Sequence, residues 1–221
     1  MTLQTARLRT PVQPSDLARL ALGTVVYLDG VAYTAREGLY RKMIDANLPP
    51  PTDLAALSNV SFHCSPAARV NDDGSYTIGA VTATASFRFG RVIGEFLRRS
   101  QCKVIIGKGG MSEADYSEHF VPNGAVYWTT VGYGTGALLG RGIRRVRDVY
   151  WLEELGIAQA VWVLEVENFG PFLVESDLEG NSLFERSNRD TAAGIECLYA
   201  GLKKPALSRY GETVSRSDEV V

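Results

Sequence analysis

Arg36, Arg88 and Lys108 are side chains whose types and settings could bind a small anion. Arg88 follows the turn Thr84-Ala85-Ser86 and stands in the first turn of the helix expected from Phe89 onward. A helix N-terminus carries partial positive charge and free N–H groups, so a guanidinium there makes an anion-seeking end. Thr84 and Ser86 are the natural capping hydroxyls in front of it. Lys108 sits between Gly107 and Gly109-Gly110. Glycine on both sides lets backbone approach a ligand, and the ammonium supplies a compact charge. Arg36 occupies a similar place, where a β-rich run passes into a helix. Cations and a hydroxyl brought to one edge would suit a small dicarboxylate; exposed cations at element ends are the structural alternative.

Periodicity supplies the elements that must hold these residues. Phe89, Val92, Ile93, Phe96 and Leu97 fall at i, i+3, i+4, i+7 and i+8, one face of a helix whose other side carries Arg91, Glu95, Arg98 and Arg99. Lys103–Ile106 is a strand that delivers Lys108. Thr24–Leu28 and Val31–Ala35 are expected as two short strands joined by an Asp29-Gly30 hairpin turn. After Arg36 a helix runs to Asn47 and three prolines. Asn59–Cys64 is a strand, and residues 65–79, rich in Ser, Pro, Asn, Asp and Gly, are expected as a loop. Ser112 with Asp115 opens a short helix. Ala125–Val131, Arg145–Trp151, Ala160–Val166 and Phe172–Glu175 are further strands. Strands and helices alternate, so the fold class is α/β, a mixed sheet with flanking helices. Residues 1–19 form a lead-in, 20–202 the domain and 203–221 a polar, loose tail.

The chain of 221 residues is 45% hydrophobic and 22% charged, the mix of a soluble globular protein. A net charge of −2 argues against a nucleic-acid or membrane-surface partner. With no signal peptide and no long apolar run, the expected location is the cytoplasm. Cys64, Cys102 and Cys197 are an odd, scattered set that fits a reducing compartment better than a disulfide framework. His63 and His119 stand alone, which leaves a zinc site little to draw on. Gly132-Tyr133-Gly134-Thr135-Gly136-Ala137 satisfies G-x-G-x-x-A, the dinucleotide fingerprint, but a tight strand-to-helix turn with close packing accounts for it more simply. Gly107-Lys108 is not a Walker loop, because position 102 is Cys and position 109 is Gly. Trp128, Trp151 and Trp162 lie in or beside strands and read as core.

Taken together, Y-T-A-R-E-G, the polar turn before F-R-F, V-I-I-G-K-G-G-M-S, A-V-Y-W-T-T-V-G-Y-G-T-G-A-L-L and L-E-E-L-G-I-A-Q-A-V-W resemble the β subunit of class I iron–sulfur fumarate hydratases and L(+)-tartrate dehydratases. The resemblance runs in unbroken order over residues 20–185. It implies a swivelling β/β/α domain. It also implies a half-enzyme: a separate α subunit holds a [4Fe-4S] cluster on three cysteines, in an α2β2-like hetero-oligomer, and this chain closes over it. Arg36 and Arg88 match carboxylate clamps, Lys108 a further anion contact, and Thr84 a hydroxyl that transfers the proton. The implied reaction is hydration or dehydration of a four-carbon dicarboxylate, fumarate to malate first and L-tartrate as the alternative. A non-catalytic binding or assembly module on the same fold is the reading of a different class. The chain departs from the pattern around the pocket. A G-P-T-T turn is Ala83-Thr84-Ala85 here, the Met-Asp after the arginine is Phe89-Gly90, a G-P loop is H-C-S-P-A, and a histidine after the first arginine is Tyr40.

Overall fold

The computed structural model describes residues 3–132, 134–198, 200 and 201. In chain order its strands are β1 (Thr5–Arg9), β2 (Val25–Thr34), β3 (Val60–Phe62), β4 (Cys64–Val70), β5 (Tyr76–Ala83), β6 (Val104–Gly107), β7 (Val126–Thr130), β8 (Ile143–Tyr150) and β9 (Val161–Val174). Five of them close a ring. β3 lies parallel to β2 on one side and to β6 on the other, β7 continues parallel to β6, and β9 runs antiparallel to both β7 and β2. β1 extends the sheet from β2, and β8 from β9.

Alternate side chains of a strand face opposite ways, so each ring strand feeds two cores. Val60, Phe62, Val104, Ile106, Val126 and Trp128 join Trp162, Leu164 and Phe172 in the inner one. Ile105 and Tyr127, lying between them in sequence, belong to the outer one. That outer core includes Val92, Ile93, Phe96 and Leu97, the apolar face of the Gly90–Ser100 helix. At roughly 1.5–3 kcal/mol for each fully buried side chain of this size, that face ties the outer layer to the ring. The helix stops at Gln101, which turns left-handed (φ 55°) and donates its amide to the Arg98 carbonyl at 2.7 Å.

Three sequence expectations change. Asp29-Gly30 is no hairpin turn; β2 runs straight through it. Up to Asp29 the strand pairs with β1, and from Tyr33 with β3; Gly30 (φ 112°) stands where the partner changes. A side chain at Gly30 would land on Thr10 Oγ1, which accepts from the Val31 amide at 2.6 Å. Asp29 serves distant partners, accepting from Arg7 Nε and from the Asn168 amide, each at 2.6 Å. Residues 65–79 are mostly β4 and β5, an antiparallel ribbon paired from Cys64↔Ala83 to Val70↔Tyr76. A two-stranded ribbon leaves half its backbone groups outside the ladder, so Pro66 is tolerated. The strands expected at 160–166 and 172–175 are one strand, β9, carried through Asn168 (φ 50°) and Gly170 (φ 156°) where its register with β2 shifts.

The glycine run at 132–140 serves packing. Gly134 caps the Thr135–Arg141 helix, and a Cβ at Gly136 would stand 2.8 Å from the Val81 carbonyl oxygen of β5. Tyr133 lies outside the described residues. Trp128 and Trp162 are buried in the inner core. The described residues up to 185 and those from 186 onward belong to two separate compact units. The tail expected at 203–221 lies outside the described residues. No helix among the described residues is long and apolar enough to cross a membrane.

Candidate active site

The C-terminal ends of β3 and β6 meet at one rim of the ring, with the segment after β5 laid between them. The His63 amide donates to the Ile106 carbonyl at 2.8 Å, the Thr84 amide to the His63 carbonyl at 2.7 Å and the Lys108 amide to the Thr84 carbonyl at 3.1 Å. Ala85 bridges Lys108 in parallel register. Thr84 and Lys108 are therefore neighbours through backbone, although about 24 residues separate them in the chain. Arg36 follows the end of β2. Carboxyl ends of parallel strands are where open α/β sheets bind ligands.

Arg36 is half-buried and fixed. Its Nη1 donates to the Ala158 carbonyl at 2.8 Å and to Ser65 Oγ. Its Nε is buried and has no partner among the described residues. Burial, and next the charge of Arg88, hold its pKa below the ordinary arginine value. Arg88 lies on the 3-10 turn Phe87–Phe89, exposed, with its guanidinium over the Phe89 ring at 5.1 Å. Arg88 and Phe89 line a cleft of about 350 Å³ together with Tyr40, Arg41 and Arg91. Arg36, Thr84 and Lys108 are not among its walls.

From the sequence His63 stands out only as the first residue of the departing H-C-S-P-A stretch, with no role of its own. Its ring is fully buried between two hydroxyls: Nε2 is 2.6 Å from Tyr40 Oη and Nδ1 is 2.7 Å from Ser86 Oγ. The Tyr127 hydroxyl donates to the same Ser86 Oγ at 2.7 Å. Burial first, then the charges of Arg36 and Arg88, drive the His63 pKa down to about 3, so the ring is neutral at physiological pH. Ser86 was expected to cap the following helix; that helix begins without a side-chain cap, and the Ser86 hydroxyl serves His63 instead. The available signal was strand alternation. In Val60-Ser61-Phe62-His63 the apolar residues face the inner core, which sends Ser61 and His63 to the helix-covered side.

A second buried group supports the Lys108 loop. Glu175 accepts from Ser182 Oγ at 2.6 Å and from the Tyr116 hydroxyl, and the Met111 amide donates to that same Tyr116 oxygen at 2.8 Å. Burial raises the Glu175 pKa, against the hydroxyls that favour its charged form.

The cysteines do not suit an iron–sulfur cluster. Cys64 and Cys102 are buried in different cores, and burial raises both thiols, Cys102 to about 12. Iron ligation takes thiolates. Among the described residues no group of three Cys, His, Asp or Glu could hold a metal ion.

A family model described as Fumarase C-terminus matches residues 2–187. A protein of Methanocaldococcus jannaschii named "Putative L(+)-tartrate dehydratase subunit beta" is 39% identical over 79% of this chain and 88% of its own length. The L(+)-tartrate dehydratase subunit beta of Escherichia coli K12 is 30% identical over 82% of this chain and 88% of its own. A "Putative fumarate hydratase class I" of Geobacillus stearothermophilus is 29% identical over 80% of this chain, which corresponds to 33% of that longer protein.

Proposed function

The chain belongs to the Fumarase C-terminus family, and from that premise we propose that it is the β subunit of an iron–sulfur hydro-lyase acting on a four-carbon dicarboxylate. L(+)-tartrate is the favoured substrate, because the relatives that match this chain over most of their own length carry that name. This reverses the order of substrates suggested by the sequence. Fumarate and malate form the second reading, favoured by the Geobacillus relative. In both readings a separate α subunit carries the [4Fe-4S] cluster, and this chain supplies substrate-binding groups from a swivelling β/β/α domain.

The observation that carries the proposal is the buried, unpartnered Nε of Arg36 with the like charge of Arg88 close by. Two guanidinium groups held near one another call for an anion, and planar guanidinium groups grip carboxylates through paired hydrogen bonds. Taking a proton from the carbon beside a carboxylate pushes negative charge onto that carboxylate's oxygens. Fixed cations aimed there stabilise the developing charge more than the ground state. Arg36 and Arg88 hold the two ends of the diacid, Lys108 adds a third positive charge, and the Thr84 hydroxyl moves the proton. A hydroxyl is a weak base at its ordinary pKa, so Thr84 depends on those cations to stabilise its deprotonated form. Loss of water from L-tartrate gives an enol that ketonises to a four-carbon 2-oxo diacid.

The test is coexpression with the α subunit, purification without oxygen, and assay on L-tartrate, fumarate and malate. Turnover of L-tartrate is expected. Arg88→Ala should lower kcat/KM by about 10²- to 10³-fold with the complex still assembled. A cluster-loaded complex that turns over none of the three substrates would leave the non-catalytic module as the reading.

A further inference from the structure

We infer that His63 is a positioning residue for the carboxylate clamp: its ring, spanning Tyr40 and Ser86, fixes the turn that carries Arg88 relative to the end of β2 that carries Arg36. The inference rests on the proposed role of Arg88 and adds a residue to it.

His63 touches every segment of the site. Its backbone joins β6 to the Thr84 turn, with the amide on Ile106 and the carbonyl on Thr84. Its ring reaches Tyr40, on the helix that starts just after Arg36, at 2.6 Å, and Ser86, two residues before Arg88, at 2.7 Å. The ring also meets Phe89 edge-on, with centroids 4.9 Å apart, and the Arg88 guanidinium lies over the other partner in that contact, Phe89. A rotation of the imidazole therefore moves Ser86 and Phe89 together, and Arg88 with them. Tyr40 closes the cluster, 5.0 Å from Phe89 by ring centroid. Tyr127 fixes the far side of Ser86 from β7. All four hydrogen-bonded side chains are buried, so water does not replace a lost partner.

The ring must also be neutral for this role. A cationic imidazolium beside Arg36 and Arg88 would add a further like charge to a site that must take up an anion without being pulled apart when empty. Neutral His63 supplies geometry without charge.

The experiment uses the assembled, cluster-loaded complex and compares Ser86→Ala and His63→Gln in two backgrounds, the natural one and Arg88→Ala. Ser86→Ala removes both bonds of the Ser86 hydroxyl, to His63 and to Tyr127, and His63→Gln keeps only the reach to Tyr40. In the natural background each should raise KM for the dicarboxylate about tenfold with kcat within about threefold, because the clamp is misplaced and the chemistry is not. In the Arg88→Ala background each should change KM less than about twofold, the non-additivity expected of residues acting through one another. A merely structural role would lower the folded fraction and leave KM alone. Unchanged KM in the natural background, or the same rise in both backgrounds, overturns the inference. Should His63→Gln fail to fold, Ser86→Ala decides. Unchanged KM in Arg88→Ala itself would instead remove the clamp reading of Arg88, so the two failures are distinguishable.

Discussion

His63 and Glu175 are buried titratable groups with opposite consequences for stability. In the unfolded chain His63 titrates near 6.5, and in the fold it is held at about 3 by burial and two arginines. Between these values the unfolded chain binds a proton that the folded one does not, so this contribution is full above about pH 6.5 and is lost as pH falls toward 3. The slope is about 1.4 kcal/mol per pH unit. Glu175 is shifted upward by burial, so its contribution is full below the unfolded carboxylate value and is lost as pH rises through its folded pKa. Urea unfolding over an acidic pH series should show His63→Asn losing less stability per unit of acidification than the natural chain. Parallel curves would mean that the ring is protonated in the fold. Tyr40 and His63 lie at positions where this sequence departs from the pattern it resembles, and they are bonded to each other.

At the scale of elements, the end of β6 shows how closely the strands must approach for the network to form. A Cβ on Gly107 would land on Ser86 Oγ and the Tyr127 hydroxyl. Gly107→Ala should therefore destabilise by about 1–3 kcal/mol through overpacking and also raise KM, since Ser86 must move. Gly74→Ala, in the β4–β5 turn at φ 79° with open space around it, should cost about 1 kcal/mol through backbone conformation and leave KM unchanged. Thermal unfolding and steady-state kinetics on the two variants separate these outcomes; equal KM values would show that Ser86 tolerates displacement. Local patterns were legible: the Phe89–Leu97 stripe, the Ser112 capping box and the strand before Lys108 follow from periodicity and capping alone. What could not be read depends on distant partners. Asp29-Gly30 looks like a turn until Arg7 and Asn168 are seen to claim Asp29. Each link in the buried network spans 23 or more residues, so nothing local marks Tyr40, His63, Ser86 and Tyr127 as a set. Arg36 and Arg88 could be singled out because each sits at an element boundary, whereas the effect of the Arg88 charge on Arg36 emerges only when the ring closes.

For the whole molecule, the closed ring places cations and hydroxyls at its rim and buries two of the three thiols in its cores. Cys64 packs with the inner core and Cys102 with the outer one, so the ring wall separates them. Both thiols are shifted upward by burial, and exposing them as thiolates would mean opening those cores. Cys197 is exposed, and one thiol cannot hold a cluster that ordinarily takes three or four. It follows that the isolated chain, treated anaerobically with ferrous iron and sulfide, should remain colourless, bind iron only at background level and turn over no dicarboxylate. Mixing it with a cluster-loaded α subunit should restore L-tartrate dehydration, with activity saturating as the α subunit is titrated. Iron analysis and the visible spectrum of each subunit alone, followed by that titration, check the division of labour. Stoichiometric iron in the isolated chain, about four per molecule, would require its thiols to converge and would overturn both the burial argument and the assignment of the cluster to the partner.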